Sequence, residues 1–216
     1  ILNDGIGTSI GHTLEMQPQF IQAVVSGLFG AEPYFGDNLL ELVPSFPGDW
    51  DHAEIATTDF TYEYKKDGSG VNMHVTTPQA RRLKIKLPVK GKVQSVKLNG
   101  QTVDYTIEAA VNNSRVVVET EFGQDFTFEV STGATASVEG DLMVLLDRTA
   151  KFKIKNALVV KVHDPQEKMN EVSIIKASDN SSEVSIVPRD VGKYTVFLEL
   201  QASDARWLHP LDLDVR

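Results

Sequence analysis

The sequence contains no cysteine, which excludes disulfide bonds, thiol catalysis and cysteine-ligated zinc or iron–sulfur sites. No run approaches the ~18 consecutive apolar residues that a transmembrane helix needs, so no membrane span is predicted. Positive charge is also scarce, because 21 Lys and Arg stand against 30 Asp and Glu, for a net charge of −9. A surface that follows a phosphate backbone needs clustered basic residues, so we predict no nucleic-acid partner.

The 216 residues, 41% of them hydrophobic and 24% charged, are enough for one large domain or two small ones. The chain starts at Ile1 without an initiator methionine and stops at Arg216 within an apolar/polar alternation. We therefore expect a piece of a longer polypeptide, with a processed mature protein as the alternative.

One helix is predicted. Apolar residues between Thr13 and Gly30 recur at three- and four-residue steps, which places them on one helical stripe. Pro18 suits an early helical position, and Gly30 suits a left-handed stop. Because no second helix is predicted, this stripe must pack on a sheet or on a missing partner.

From Ile55 onward the hydrophobic period is two, which predicts antiparallel strands separated by tight turns. Asp67-Gly68 predicts one hairpin, and Asn99-Gly100 predicts a two-residue turn with two positive φ angles. Short strands without intervening helices favour a sandwich over a parallel α/β sheet.

The small, polar segment from Ser131 to Ser137 predicts a junction between two sandwiches. After it, Tyr194 follows Asp190 and Gly192 at the start of a strand, which resembles the tyrosine corner of immunoglobulin-like domains. The predicted fold is therefore mainly β, with two consecutive antiparallel β-sandwiches, the second immunoglobulin-like, and one short N-terminal helix. The predicted domains are a helical lead-in (1–35), a β-sandwich (36–132) and an immunoglobulin-like β-sandwich (133–216).

The best local cluster of carboxylates is Asp49, Asp51 and Glu54 beside Trp50. Glycoside cleavage needs two acids facing each other across a bond, whereas acids after Pro47-Gly48 are typical turn formers. His52 with Glu54, and His163 with Asp164 and Glu167, lack metal-site spacing. We predict no catalytic residue, no metal site and no cofactor in this chain.

Four aromatic side chains are candidates for stacking on sugar rings, with packing in a core as the simpler interpretation of each: Trp50, Tyr34, Phe35 and Trp207.

The segment from Gln17 to Ile55 resembles the exit from the catalytic (α/α)6 barrel of bacterial six-hairpin glycosidases. In that family a last barrel helix leads into an apolar strand, a Pro-x-x-Pro-x-x-Trp turn and a β-sandwich, and Pro44, Pro47 and Trp50 occupy those positions. The resemblance covers roughly residues 15–132. It implies a carbohydrate-degrading parent enzyme, periplasmic or extracellular, whose catalytic acids lie on a barrel that this chain lacks.

We therefore expect non-catalytic accessory modules of a glycoside hydrolase, which brace the catalytic barrel of the parent polypeptide and space its domains. One alternative is a carbohydrate-binding or adhesin-like surface protein that holds polysaccharide. The other is an autonomous hydrolase that uses Asp49, Asp51 or Glu54.

Overall fold

The computed structural model describes residues 19–34 and 38–216, and it has the predicted fold class: two β-sandwiches preceded by one short helix. Residues 19–22 are α-helical and continue into a π-helix, Ala23–Leu28. The helix ends at Leu28, and Gly30, which follows the C-cap residue Phe29, has a φ of 66° and is the predicted left-handed stop. Residues 13–18 of the predicted helix lie outside the described residues.

Ten strands of the first sandwich lie in the described residues. They are β1 (Ala31–Tyr34), β2 (Leu39–Leu42), β3 (His52–Ala56), β4 (Thr61–Asp67), β5 (Gly70–Val89), β6 (Val93–Leu98), β7 (Gln101–Thr102), β8 (Thr106–Ala109), β9 (Ser114–Glu119) and β10 (Gly123–Thr132). One layer has the order β3-β4-β5-β10-β6-β7, and the other has the order β1-β2-β5-β9-β8.

Strand β5 belongs to both layers of the first sandwich. Its first half pairs with β4 and β10, and its second half pairs with β9 and, in parallel, with β2. In the sequence, the apolar/polar alternation is interrupted between Thr76 and Arg82. The backbone remains extended there, and the pairing with β10 instead jumps from Thr76 to Arg81 through a bulge.

Alternating side chains fill the core between these layers, among them Tyr62, Met73, Leu83, Ile85 and Phe128. The predicted tight turn is confirmed, because Asn99 and Gly100 both have positive φ, 50° and 78°, and β6 and β7 pair on either side.

The second sandwich contains eight strands in two four-stranded sheets. They are β11 (Ser137–Glu139), β12 (Met143–Val144), β13 (Ala150–Lys155), β14 (Leu158–His163), β15 (Met169–Ser178), β16 (Ser181–Pro188), β17 (Gly192–Ala202) and β18 (Ala205–Val215). The sheet orders are β11-β13-β16-β15 and β12-β18-β17-β14, with β12 parallel to β18. This is the ABED and GFC arrangement of immunoglobulin domains with one added strand.

The tyrosine corner is present at the start of β17. The Tyr194 hydroxyl donates a hydrogen bond to the carbonyl of Val191, three residues upstream. Gly192 lies between them at φ 138°, where a side chain would meet the Tyr194 hydroxyl. The resemblance to an immunoglobulin-like corner is thus confirmed in its geometry.

The two sandwiches are joined by hydrogen bonds as well as by the chain. The Leu208 amide of β18 donates to the carbonyl of Ala110 at 3.0 Å, and the Leu208 carbonyl accepts from the amide of Asn112 at 2.7 Å. The Ser114 hydroxyl donates to the carbonyl of Arg206 at 3.0 Å. Strand β18 therefore holds the turn between β8 and β9.

Candidate ligand groove

The loop that follows β2 carries a short stack of aromatic rings. Phe46 packs edge-on against Phe29 at 5.3 Å and lies parallel to Trp50 at 6.0 Å, with an interplanar angle of 17°. The Trp50 amide closes a turn on the carbonyl of Pro47 at 3.1 Å. The ring of Trp50 is therefore supported from behind by Phe46 and stays 42% exposed.

Trp50 lines a groove of about 800 Å³ on the first sandwich. Among the described residues, its lining comes from five places that are distant in sequence: the loop 44–50, the hairpin between β4 and β5, the end of β5 at residues 88–90, the turn between β8 and β9, and the segment 132–135. Lys66 fastens the first wall, because its amide donates to the Asp51 carbonyl at 2.7 Å and its ammonium donates to the Gly48 carbonyl at 2.8 Å.

The opposite wall is polar and includes Asn112, Asn113 and Arg115. Asn112 has a φ of 69°, a turn conformation that asparagine tolerates better than most residues. Arg115 lies opposite Glu108 in the β8–β9 ladder, but the Glu108 carboxylate contacts the Lys86 ammonium at 3.1 Å. Among the described residues, Arg115 has no ion-pair partner.

One carboxylate, Asp67, lines this groove. Its Oδ1 accepts hydrogen bonds from the Ser69 hydroxyl at 2.6 Å, from the Ser69 amide at 2.7 Å and from the Gly70 amide at 3.1 Å. The hydrogen bond from the Ser69 hydroxyl contributes most to keeping the pKa of Asp67 below its usual range. Asp67 is thus an ionised residue of the β4–β5 turn, and no second acid lines the groove in the part of the chain that the structure describes.

Two buried tyrosines lie beneath this region. Burial raises the pKa of Tyr64 to about 12 and raises that of Tyr62 still further. The Tyr62 hydroxyl donates to the carbonyl of Phe29 at 2.7 Å. Both phenols are neutral structural groups, and Tyr62 ties the end of the helix to the first sandwich.

The structure locates two of the four predicted aromatic platforms. Trp50 lies in the groove, whereas Trp207 is only 2% exposed in the core of the second sandwich. A ring buried to that degree offers no face to a sugar, which corrects the hypothesis that Trp207 is a ligand platform. Tyr34 is the last residue of β1, and its side chain and all of Phe35 lie outside what the structure describes.

The predicted carboxylate cluster does not form a facing pair. Asp49, Asp51 and Glu54 are all exposed, and none of them lines the groove. His52 contacts Glu63 on the neighbouring strand at 3.2 Å. These side chains cover an outer surface of the sandwich.

The second histidine–acid set is also used in packing. The His163 ring contacts a Glu199 oxygen at 3.0 Å, and Asp164 accepts a hydrogen bond from the Met169 amide at 2.8 Å. Glu167 occupies a turn at φ 54°. Among residues 19–34 and 38–216, no three His, Asp or Glu side chains are grouped as a metal site requires.

Sequence reasoning missed the polar wall of the groove. Asn112 and Asn113 have the composition of an ordinary hairpin turn, and Lys66 and Lys90 are far from them and from each other in the sequence. They can be identified as groove residues only from the folded structure, which brings their turns together. A local signal existed in the adjacent pair of asparagines, since turn residues with free amides are common at binding sites on loops.

The chain matches no protein-family model, and no curated protein is significantly similar to it. No helix in the described part of the chain is long and apolar enough to cross a membrane.

Proposed function

We propose that this chain forms non-catalytic accessory β-sandwich modules of a bacterial glycoside hydrolase that acts in the periplasm or outside the cell. The observation that carries this proposal is the helix. Its end is fixed to the first sandwich through Phe29, while Phe20 and Ile21 near its start are 71% and 60% exposed. Exposed large apolar side chains on an anchored helix are typical of a surface that packs on another unit.

In this proposal the partner unit is the (α/α)6 barrel of the parent polypeptide. The helix would transmit the orientation of the sandwich to the barrel, and the modules would influence catalysis only by keeping barrel residues in position. Displacements of about 1 Å can cost on the order of 100-fold in rate.

The test uses the polypeptide that carries the barrel. Phe20→Glu with Ile21→Glu should lower its melting temperature by several degrees and lower its turnover. Phe122→Glu is the matched control, because Phe122 is similarly exposed but lies in the turn before β10. Equal effects of the two changes would argue against a barrel-facing helix.

The catalytic alternative is tested on the isolated chain. We expect no release of reducing sugar from a panel of polysaccharides. Turnover that disappears in Asp49→Asn or Asp51→Asn would refute the non-catalytic proposal, since these carboxylates would then be reacting groups.

A second candidate function is carbohydrate binding, which is favoured by the exposed face of Trp50 in a groove with polar walls. A rigid aromatic ring beside a few polar groups is a common way to hold a saccharide. We expect the chain to bind an oligosaccharide and Trp50→Ala to weaken that binding about tenfold or more. The absence of binding to every saccharide on a broad panel would refute this candidate.

A further inference from the structure

We propose that the Trp50 groove binds an acidic polysaccharide, one whose sugar rings carry carboxylate groups. This proposal rests on the carbohydrate-binding function above and adds the chemical class of the ligand. It is carried by three features of the groove: unused hydrogen-bond donors, a local excess of positive charge, and a polar wall that is held in place before a ligand arrives.

Several polar side chains of the groove have no protein partner among the described residues. The guanidinium of Arg115 makes no hydrogen bond or ion pair there, and neither does the ammonium of Lys90. The side-chain amide of Asn112 is exposed and makes no hydrogen bond among the described residues. These unpaired donors converge on one groove, as the polar groups that orient a ligand do in binding sites.

The charge of the groove is opposite in sign to that of the whole chain. Of the residues that the structure describes, three cations line it, Lys66, Lys90 and Arg115, against the single carboxylate of Asp67, so the local sum is 3 − 1 = +2 while the chain carries −9. Asp67 is engaged by its own turn, and the carboxylate nearest to Arg115 along the ladder, Glu108, is engaged by Lys86. Arg115 is therefore free to bind an anion.

This combination selects among ligands. A guanidinium matches carboxylate and sulfate geometry with two parallel hydrogen bonds, and Trp50 supplies a face for a sugar ring. A neutral sugar would use the ring and the amides but leave the three cations uncompensated. Nucleic acid also combines anions with planar groups, but the negative charge of the rest of the chain opposes a long phosphate backbone.

The second sandwich holds the polar wall in place. Leu208 makes hydrogen bonds to Ala110 and Asn112 on either side of the turn tip, and the Ser114 hydroxyl is bonded to Arg206. Asn112, Asn113 and Arg115 therefore start from a fixed backbone, which reduces the entropy that a ligand must remove on binding.

The experiment measures binding of the full chain by calorimetry to a hexasaccharide of galacturonate, a hexasaccharide of mannuronate, cellohexaose, xylohexaose and a six-nucleotide single strand of DNA. We expect at least one uronate hexasaccharide to bind with an affinity about tenfold or more higher than that of either neutral hexasaccharide. We also expect this affinity to fall as the salt concentration is raised. Arg115→Gln should lower the affinity for the uronate about tenfold or more, because a hydrogen bond to a charged group is lost. Arg148→Gln, an exposed arginine of the second sandwich outside the groove, should leave it unchanged.

Other outcomes overturn the proposal in distinguishable ways. Preferential binding of a neutral hexasaccharide, or uronate binding that Arg115→Gln does not weaken, refutes the acidic class but keeps carbohydrate binding. Binding of DNA and of no sugar refutes both, as does the absence of all binding, and these last results leave the helix test of the accessory function untouched. Retention of the wild-type circular dichroism spectrum by Arg115→Gln shows that its effect is local.

Discussion

Gly30 offers the sharpest test of how the helix is attached to the first sandwich. A Cβ atom at this position would lie 2.0 Å from the Val43 carbonyl oxygen and 2.3 Å from its carbon, where real contacts essentially never fall below 3.0 Å. The backbone is also left-handed, with φ at 66°. Alanine here must therefore separate the helix end from the strand by about 1 Å, against the hydrogen bond that joins the Val43 amide to the Gly30 carbonyl at 2.9 Å.

We expect Gly30→Ala to lower the free energy of unfolding by about 2 to 5 kcal/mol. A left-handed alanine costs about 1–2 kcal/mol, and forced overpacking costs about 1–3 kcal/mol. Urea unfolding gives the difference as a shift in midpoint at constant slope. The matched control is Gly27→Ala in the π-helix, where nothing lies within 4 Å of the new methyl group and where we expect a gain of about 0.5–1 kcal/mol.

Gly30→Asn separates the two causes, because asparagine tolerates the left-handed region but still has a Cβ atom. If contact with Val43 dominates, Gly30→Asn is as damaging as Gly30→Ala; if the dihedral angle dominates, it is much milder. Equal stabilities of Gly30→Ala and Gly27→Ala would refute the argument from close approach altogether.

Three further predictions concern the second sandwich and its junction with the first. Trp207→Ala should lower the free energy of unfolding, measured in urea, by about 3–5 kcal/mol, whereas Trp50→Ala, at the exposed ring, should lower it by less than about 1 kcal/mol. Similar losses would contradict the assignment of the Trp207 ring to the core. Tyr194→Phe should cost about 1 kcal/mol, because it removes one hydrogen bond and keeps the ring; an unchanged midpoint would show that the corner bond to Val191 adds no stability. Burial, with a smaller effect from Lys90, keeps the pKa of His209 below its usual range. The contribution of neutral His209 to the free energy of unfolding is therefore complete above the unfolded pKa of roughly 6.5, and it is lost as the pH falls toward the folded pKa. Between pH 7 and 5, wild type should therefore lose more stability than His209→Gln in urea titrations, and parallel pH profiles would rule this out.

Local sequence signals were sufficient for features whose cause is local. Asn99-Gly100 predicted a turn because few other pairs accept two positive φ angles, and Tyr194 after Gly192 predicted a corner because the hydrogen bond spans only three residues. The alternation of buried residues predicted the two-layer architecture for the same reason, since each strand reports its own buried face.

Features that depend on distant pairing were not predictable in this way. The parallel contact of β2 with β5 brings Leu40 beside Leu83, and nothing in either segment specifies that partner. The groove has the same origin, because Trp50, Lys66 and Arg115 meet only after three turns have been placed by the sheets. Period-two patterns show which face of a strand is buried but not which other strand it pairs with.

Because the 20 residues of β5 run through both layers of the first sandwich, we expect the two layers to unfold together in one cooperative step. Each layer is bonded to its own half of β5, so a sheet that peels away displaces the strand to which the other sheet is also bonded. Amide protons from Gly70 to Val89 that are bonded between strands should accordingly exchange with deuterium at one shared slow rate. A protease would then find no half-open form of this module to cleave.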